Sequence, residues 1–374
     1  MRVAIVINTA WNIYNFRMGL VRALLAEGMQ VVAIAPSDGY EKELKRNGCE
    51  FVSVPMEKTG TNPWKEFKII LRLYRAYKKA KPDIILHFTI KPNTYGSIAA
   101  KWLGIPIINN VSGLGTVFLN SGLVSKIALA VYRYTFRYPN KVFFQNEFDR
   151  ELFLNKGLVA REVTEVIPGS GIDLKKFIAS PKEQNGNTFT FLMISRLLVD
   201  KGVYDFIEAI KSLKEKRPEL HFQLLGPVDP EHKRGISNEE LQEWIDEEWV
   251  EYLGTTDDVR PFISNADCIV LPSYREGTPK TLLEAASMQK PLIATDVPGC
   301  NSIVVNNYNG YLCNLKDPID LAKKMNKMAD LDSVQITEFG KNSRKKVEDD
   351  FDEKIVVSKY LKSINKIANI GNEI

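Results

Sequence analysis

The chain has little of what marks a secreted, metal-bound or membrane-spanning protein. Of its 374 residues, four are cysteines and three are histidines. Cys49, Cys268, Cys300 and Cys313 are scattered, with no Cys-x-x-Cys pair. That suits a reducing compartment and argues against a structural zinc site. His87, His221 and His232 are too dispersed to supply a metal cluster. No apolar run reaches the ~18–20 residues that cross a bilayer. The first run, Val3-Ala-Ile-Val-Ile-Asn8, is too short for a signal-peptide core and predicts a buried strand. The Gly-x-Gly-x-x-Gly fingerprint is missing after it, where Asn8-Thr-Ala-Trp-Asn-Ile-Tyr14 stands. That counts against a nicotinamide or flavin enzyme. No Asp-x-Asp metal motif closes a strand. Asp229-Pro-Glu231 and Asp349-Asp-Phe-Asp352 read as solvated loops.

What is present is a soluble globular composition, with 44% apolar and 26% charged residues, and length enough for two ordinary domains. The net charge of +4 hides an asymmetry. Residues 1–170 hold 23 Lys and Arg against 13 Asp and Glu, whereas the remainder holds 27 against 33. A basic half suggests that the first domain meets something anionic: nucleic acid, a membrane surface or a diphosphate-bearing acceptor. No recognised nucleic-acid module accompanies the charge, which disfavours the first.

Short apolar runs alternate with amphipathic segments. In the first half, strands are predicted at 3–7, 31–34, 51–54, 84–87, 107–109 and 142–144, with helices at 16–25, 64–79 and 97–103 between them. The second half predicts strands at 189–194, 222–225, 250–253, 268–271 and 292–294, with helices at 203–213 and about Glu284. Helices at 334–348 and 353–367 close the chain. This is the rhythm of βαβ units and parallel sheets covered on both faces. The polar stretch 179–187 reads as a linker. The expected domains are 1–170 and 186–350, with the last helix, about 353–370, returning to the first. Ligands of doubly wound sheets bind outside the strand C-termini, so the expected site is a cleft onto which both domains open.

The chemistry concentrates in Glu276-Gly-Thr-Pro-Lys-Thr-Leu-Leu-Glu284. Glu276 falls in the loop after the run Cys268-Ile-Val-Leu-Pro272, and Glu284 about one turn into the next helix. Thr278 is expected to cap that helix, with Pro279 in its first turn. The helix start suits a phosphate, and flanking carboxylates suit neutral hydroxyls, such as those of a sugar and a ribose. In Ser195-Arg-Leu-Leu-Val-Asp-Lys-Gly202, Arg196 and Lys201 flank a turn beside another helix start. Two cations there can neutralise a departing diphosphate.

Arg196, Lys201-Gly202, Glu276-x7-Glu284 and an Ile172-Asp173 turn together resemble the family-4 retaining glycosyltransferases of the GT-B fold. The resemblance covers nearly the whole chain. Tyr14-Asn-Phe-Arg17, Lys91-Pro-Asn-Thr-Tyr-Gly96 and Gly113-Leu-Gly115 are similar to bacterial enzymes that add N-acetylhexosamine to polyprenyl-diphosphate-linked sugars. The resemblance implies two Rossmann-like domains and a UDP-sugar co-substrate, with no other cofactor. It implies that Glu276 binds the donor sugar, Glu284 the ribose, and Arg196 and Lys201 the diphosphate. Gly277, Thr278, Pro279 and Lys280 would support sugar and phosphates through their backbone, and Gly254 would lie near the uracil. Asn15, Arg17, Lys91, Ser112, Gly113 and Gly115 are the first domain's candidate substrate-binding residues.

The sequence departs from the family at one point: Ser112 stands about where many members carry an active-site His. His87, at another strand end, is either a substitute or a satisfied core histidine. Metal-independent catalysis is expected, because two protein cations can replace a divalent ion at the leaving group. Segments 64–79 and 123–138 interleave basic with apolar and aromatic residues. Each is either a sheet-covering helix with a cationic face or a surface that rests on an anionic bilayer. The expected enzyme is a cytoplasmic protein, peripheral on the inner membrane, acting on a lipid-linked saccharide. A nucleotide-sugar epimerase and a non-catalytic nucleotide-sugar-binding subunit are the rivals.

Overall fold

The computed structural model describes residues 1–56, 63–113, 123–182 and 188–372. It divides into two compact units, Met1–Ser170 with Glu353–Ile374, and Gly171–Asp352.

The first unit is built on seven strands: β1 Arg2–Val6, β2 Gln30–Ala35, β3 Glu50–Ser53, β4 Ile84–Phe88, β5 Ile107–Val111, β6 Lys141–Phe144 and β7 Thr164–Val166. They lie in the order β3-β2-β1-β4-β5-β6-β7, and every pairing is parallel. Continuous apolar runs form such strands because both faces are covered. One face buries Val3, Ile5 and Leu86 with Leu20 and Leu24, and the other buries Ala4, Val6 and Ile85 with Ile69, Leu73 and Tyr77. The last helix, Glu353–Asn372, belongs to this unit and adds Val356, Tyr360 and Ile364 to the first of those cores.

The second unit repeats the plan with β8 Thr190–Ile194, β9 His221–Leu225, β10 Glu251–Tyr252, β11 Cys268–Leu271, β12 Leu292–Thr295 and β13 Gly310–Cys313. Their order is β10-β9-β8-β11-β12-β13, again parallel. Strand order therefore reverses between β1 and β4 in one unit and between β8 and β11 in the other. Those reversals open crevices at the C-terminal strand ends. Among the described residues no helix is long and apolar enough to cross a membrane.

Local periodicity misses several features. The helix expected over 16–25 is two helices, Ala10–Phe16 and Met18–Ala26, jointed at Arg17. At the joint Arg17 is buried with its guanidinium 4.5 Å above the Phe88 ring of β4, on the face that the two helices cover. β7 and β13 are too short or too glycine-bearing to announce themselves. The linker-like stretch is described only to Lys182. Residues just before it already belong to the second unit: Ile172 bridges Asp352, and Phe177 joins a core with Leu282 and Val347.

Candidate active site

The second unit's crevice is assembled from three loops. The first follows β8. Ser195 is half-buried, Arg196 is exposed, and a 3₁₀ turn, Val199–Lys201, leads into the helix Val203–Lys214 through Gly202. Gly202 has φ 74°, and a Cβ there would stand 2.0 Å from the Pro272 carbonyl oxygen, so only glycine fits. This close approach seats the Lys201 turn against the loop after β11, which carries Glu276. Lys201 Nζ donates to Glu276 Oε1 at 2.5 Å, with the two side chains 25% and 11% exposed. Two residues 75 positions apart thus meet where strand order reverses.

The third loop follows β12. Gly299 has φ 89°, and a Cβ there would stand 2.4 Å from the Gly277 carbonyl oxygen and 2.7 Å from that of Glu276. The backbone of 276–277 is therefore shaped from behind by Gly299.

Glu284 is the fifth residue of the helix Lys280–Ser287. Its carboxyl is half-buried and pushed up to about 7, chiefly by loss of hydration. Lys280 and Lys176 oppose that shift, and Asp258 reinforces it. The same helix is pinned by Thr281 Oγ1 donating to the Ile194 carbonyl, 3.1 Å, and by Lys280 Nζ donating to the Gly171 carbonyl, 2.9 Å. Gly254, φ 73°, accepts from the Gly226 N–H at 2.8 Å, four residues before Asp258. The expected helix cap is corrected. Pro279, at φ −69° and ψ 115°, occupies the N-cap position with no side-chain cap bond, and Thr278 precedes it. Its φ is compatible with a helix, but its ψ is extended, so the helix begins at Lys280, one residue later than a cap at Thr278 would place it.

Sequence reasoning missed Gly299, Thr281, the Asp200–Arg234 ion pair, 2.6 Å, and Tyr274, whose N–H donates to the Asp200 carbonyl at 2.9 Å. Only the glycine had a local signal, in Val297-Pro-Gly299. The others act through contacts distant in sequence.

In the first unit the candidates take different roles. Arg17 is 7% exposed; burial pulls its pKa down, and the neighbouring Tyr360 opposes that shift. Asn15 Nδ2 donates to the Trp11 carbonyl, 3.0 Å. Lys91 Nζ is held 2.7 Å from Glu66 Oε1 with both side chains largely covered. Ser112 and Gly113 are half-buried just past β5, and Gly113 has φ 139°. Gly115 lies outside the described residues.

His87 is a core histidine rather than a crevice group. It is fully buried, with its ring nitrogens 2.9 Å from Tyr77 Oη and 3.0 Å from Asn109 Oδ1. Burial pulls its pKa down to about 3, against the Asn109 hydrogen bond. The Lys91-Pro-Asn-Thr-Tyr-Gly96 segment serves this network. A Cβ at Gly96 would stand 2.6 Å from His87 Nε2, Asn109 Nδ2 donates to the Asn93 carbonyl, and Asn93 Nδ2 donates to that of Asn110.

Two parallel doubly wound units, one with paired cationic and carboxylate groups at its strand reversal, define the GT-B class. Solved structures agree on the fold. HepE of Anabaena, in complex with UDP and glucose, superposes with a TM-score of 0.80 at 18% identity, covering 98% of this chain and 99% of that one. Sucrose-phosphate synthase of Thermosynechococcus elongatus gives 0.81 at 18%, over 99% and 100%. Residues 2–146 match the family model "Glycosyl transferase 4-like", and residues 188–330 match "Glycosyl transferases group 1". The chain is similar to the N,N'-diacetylbacillosaminyl-diphospho-undecaprenol alpha-1,3-N-acetylgalactosaminyltransferase of Campylobacter jejuni. The two are 30% identical over 98% of this chain and 99% of the relative. The UDP-Gal:alpha-D-GlcNAc-diphosphoundecaprenol alpha-1,3-galactosyltransferase of Escherichia coli is 28% identical, over 82% and 79%. The chain belongs to this glycosyltransferase family and is an enzyme of that kind.

Proposed function

We propose that the enzyme moves a hexose or N-acetylhexosamine, with N-acetylgalactosamine or N-acetylglucosamine favoured, from a UDP-sugar to a polyprenyl-diphosphate-linked glycan. The pathway is bacterial surface-polysaccharide or glycoprotein-glycan synthesis. The observation that carries the reading is the contact of Lys201 with Glu276 at the strand reversal. A cation and a hydroxyl-binding carboxylate there match a diphosphate beside a sugar. The relative that transfers N-acetylgalactosamine to an undecaprenol-diphosphate-linked sugar supports the acceptor class.

In this reading Lys201 exchanges its bond to Glu276 for one to the departing diphosphate, and Arg196 closes in from the exposed side. Glu276 and Glu284 accept from sugar and ribose hydroxyls. The acceptor oxygen bonds to the anomeric carbon on the face that UDP leaves. UDP takes the bonding electron pair, and its phosphate oxygen takes the acceptor's proton, so configuration is retained. Charge neutralisation by protein cations makes the step metal-independent.

Peripheral contact with the cytoplasmic face of the inner membrane has its own support. The helix Pro63–Ala80 exposes Lys68, Arg72, Arg75, Lys78 and Lys79 with Trp64 and Phe67, while its one acid, Glu66, is buried against Lys91. Such a face suits an anionic bilayer.

One experiment tests the reading: a panel of UDP-sugars with a polyprenyl-diphosphate-linked saccharide, products resolved by NMR. Transfer with retained configuration, unaffected by a chelator, is expected. An epimerised UDP-sugar formed without acceptor would replace transfer by epimerisation. Salt-insensitive or absent flotation with anionic liposomes would remove the membrane contact.

A further inference from the structure

We propose that Arg234, on the loop after β9, is a positioning residue for Lys201 that acts through Asp200. The inference rests on Lys201 facing the donor diphosphate. A three-residue 3₁₀ turn has little rigidity of its own, so what braces Val199–Lys201 decides where the ammonium points. Arg234 braces it twice. Its carbonyl accepts from the Val199 N–H at 2.9 Å, and its guanidinium Nη2 lies 2.6 Å from Asp200 Oδ1.

The loop around Arg234 is also held to Leu197, on the segment that leads into this turn. The Leu197 N–H donates to the Pro227 carbonyl at 3.0 Å, and the Ile236 N–H donates to the Leu197 carbonyl at 3.2 Å. Gly235 allows the loop to close, since a Cβ there would stand 1.8 Å from the Asp229 carbonyl oxygen. Asp200 also reaches the opposite wall. Its carbonyl accepts from the Tyr274 N–H at 2.9 Å, two residues before Glu276. One residue thus ties the β9 loop, the Lys201 turn and the Glu276 loop together.

Magnitudes separate positioning from structural support. The Asp200 and Arg234 side chains are 34% and 39% exposed, and pairs this open add little to stability. A misplaced charge at a reacting group costs far more in function. Removing the Arg234 side chain therefore leaves folding nearly intact but weakens recognition of a diphosphate.

The test compares UDP with uridine, which lacks the diphosphate, by calorimetry on the full chain. Lys201→Ala, Arg234→Ala, Arg234→Lys and Asp200→Asn are each measured. Arg234→Ala and Asp200→Asn are expected to weaken UDP roughly fivefold and to leave uridine and the melting temperature unchanged, with partial recovery in Arg234→Lys. If Lys201→Ala weakens UDP selectively while Arg234→Ala does not, the positioning role is overturned and the donor site stands. Equal losses for UDP and uridine, or a lowered melting temperature, overturn it in favour of plain structural support. A Lys201→Ala protein that keeps full discrimination removes the donor-site reading, and this inference with it.

Discussion

Both units reverse their strand order at the same topological place, yet they treat polar groups beside it in opposite ways. Next to the β1–β4 reversal the first unit turns His87, Asn93, Asn109 and Asn110 inward as neutral, buried hydrogen-bonding groups. Asn110 Nδ2 donates to Tyr360 Oη, 2.9 Å away, so the returning C-terminal helix is written into that network. Next to the β8–β11 reversal the second unit instead leaves charge at the surface, with Lys201 and Glu276 paired but partly open and Arg196 exposed. A shared fold thus supplies a crevice in each unit, and side-chain choice decides which crevice is chemically armed.

The sharpest way to break the comparison is at Gly202. Gly202→Ala requires an L side chain at φ 74° and a Cβ against the Pro272 carbonyl. The expected cost is about 3 kcal/mol or more. It should appear in hydrogen exchange as loss of protection in the second unit alone. Equal loss in both units would mean that they unfold as one.

Acid should distinguish the units next. The folded pKa of His87 is about 3, below its ordinary 6.5. The unfolded chain binds the extra proton between those values, so stability falls as pH drops from 6.5 toward 3, by about 3 kcal/mol near pH 4. Glu284 has the opposite sign, with its folded pKa raised from 4.5 to about 7. Its burial costs nothing at low pH, and that cost grows as pH rises from 4.5 through 7. Exchange measured per unit at pH 4.5 and 7.5 should therefore show the first unit weakening in acid more than the second. A parallel response would refute the assignment.

Smaller effects concern the armed crevice. Lys201→Ala should lower turnover at least about tenfold, or about 1.4 kcal/mol at the transition state. Unchanged turnover would take Lys201 out of the mechanism. In wild-type protein, UDP affinity should rise a few-fold between pH 6 and 8 as Glu284 ionises. Glu284→Gln should flatten that profile, and a slope that survives the substitution would assign it to another group.

Much of the fold is visible in local pattern. The strands at 268–271 and the helices at 97–103 and from 203 match residues Cys268–Leu271, Ser97–Leu103 and Val203–Lys214 closely. Long apolar runs bounded by turn residues have few alternatives. The jointed helix at Arg17 is not visible in local pattern, because the ring on which Arg17 packs, Phe88, lies remote in sequence on β4. Sequence likewise does not decide the inward turn of His87, since strand-end position does not say which face a side chain takes once helices cover both. Of the crevice, spacing flagged Glu276, Glu284, Arg196 and Lys201. It was blind to Asp200, Arg234 and Thr281, whose partners are remote in sequence.

The sequence by itself determined the repeated strand–helix alternation, the two doubly wound sheets and the short motifs that point to a nucleotide-sugar. Periodicity and turn chemistry are local, so they survive in one dimension. Tertiary structure alone decided that Lys201 meets Glu276 across 75 positions, that Gly299 shapes the backbone of 276–277 from behind, and that His87 is sealed away from water. Those outcomes depend on which side chains are desolvated together, and burial is a property of the packed sheets rather than of any segment.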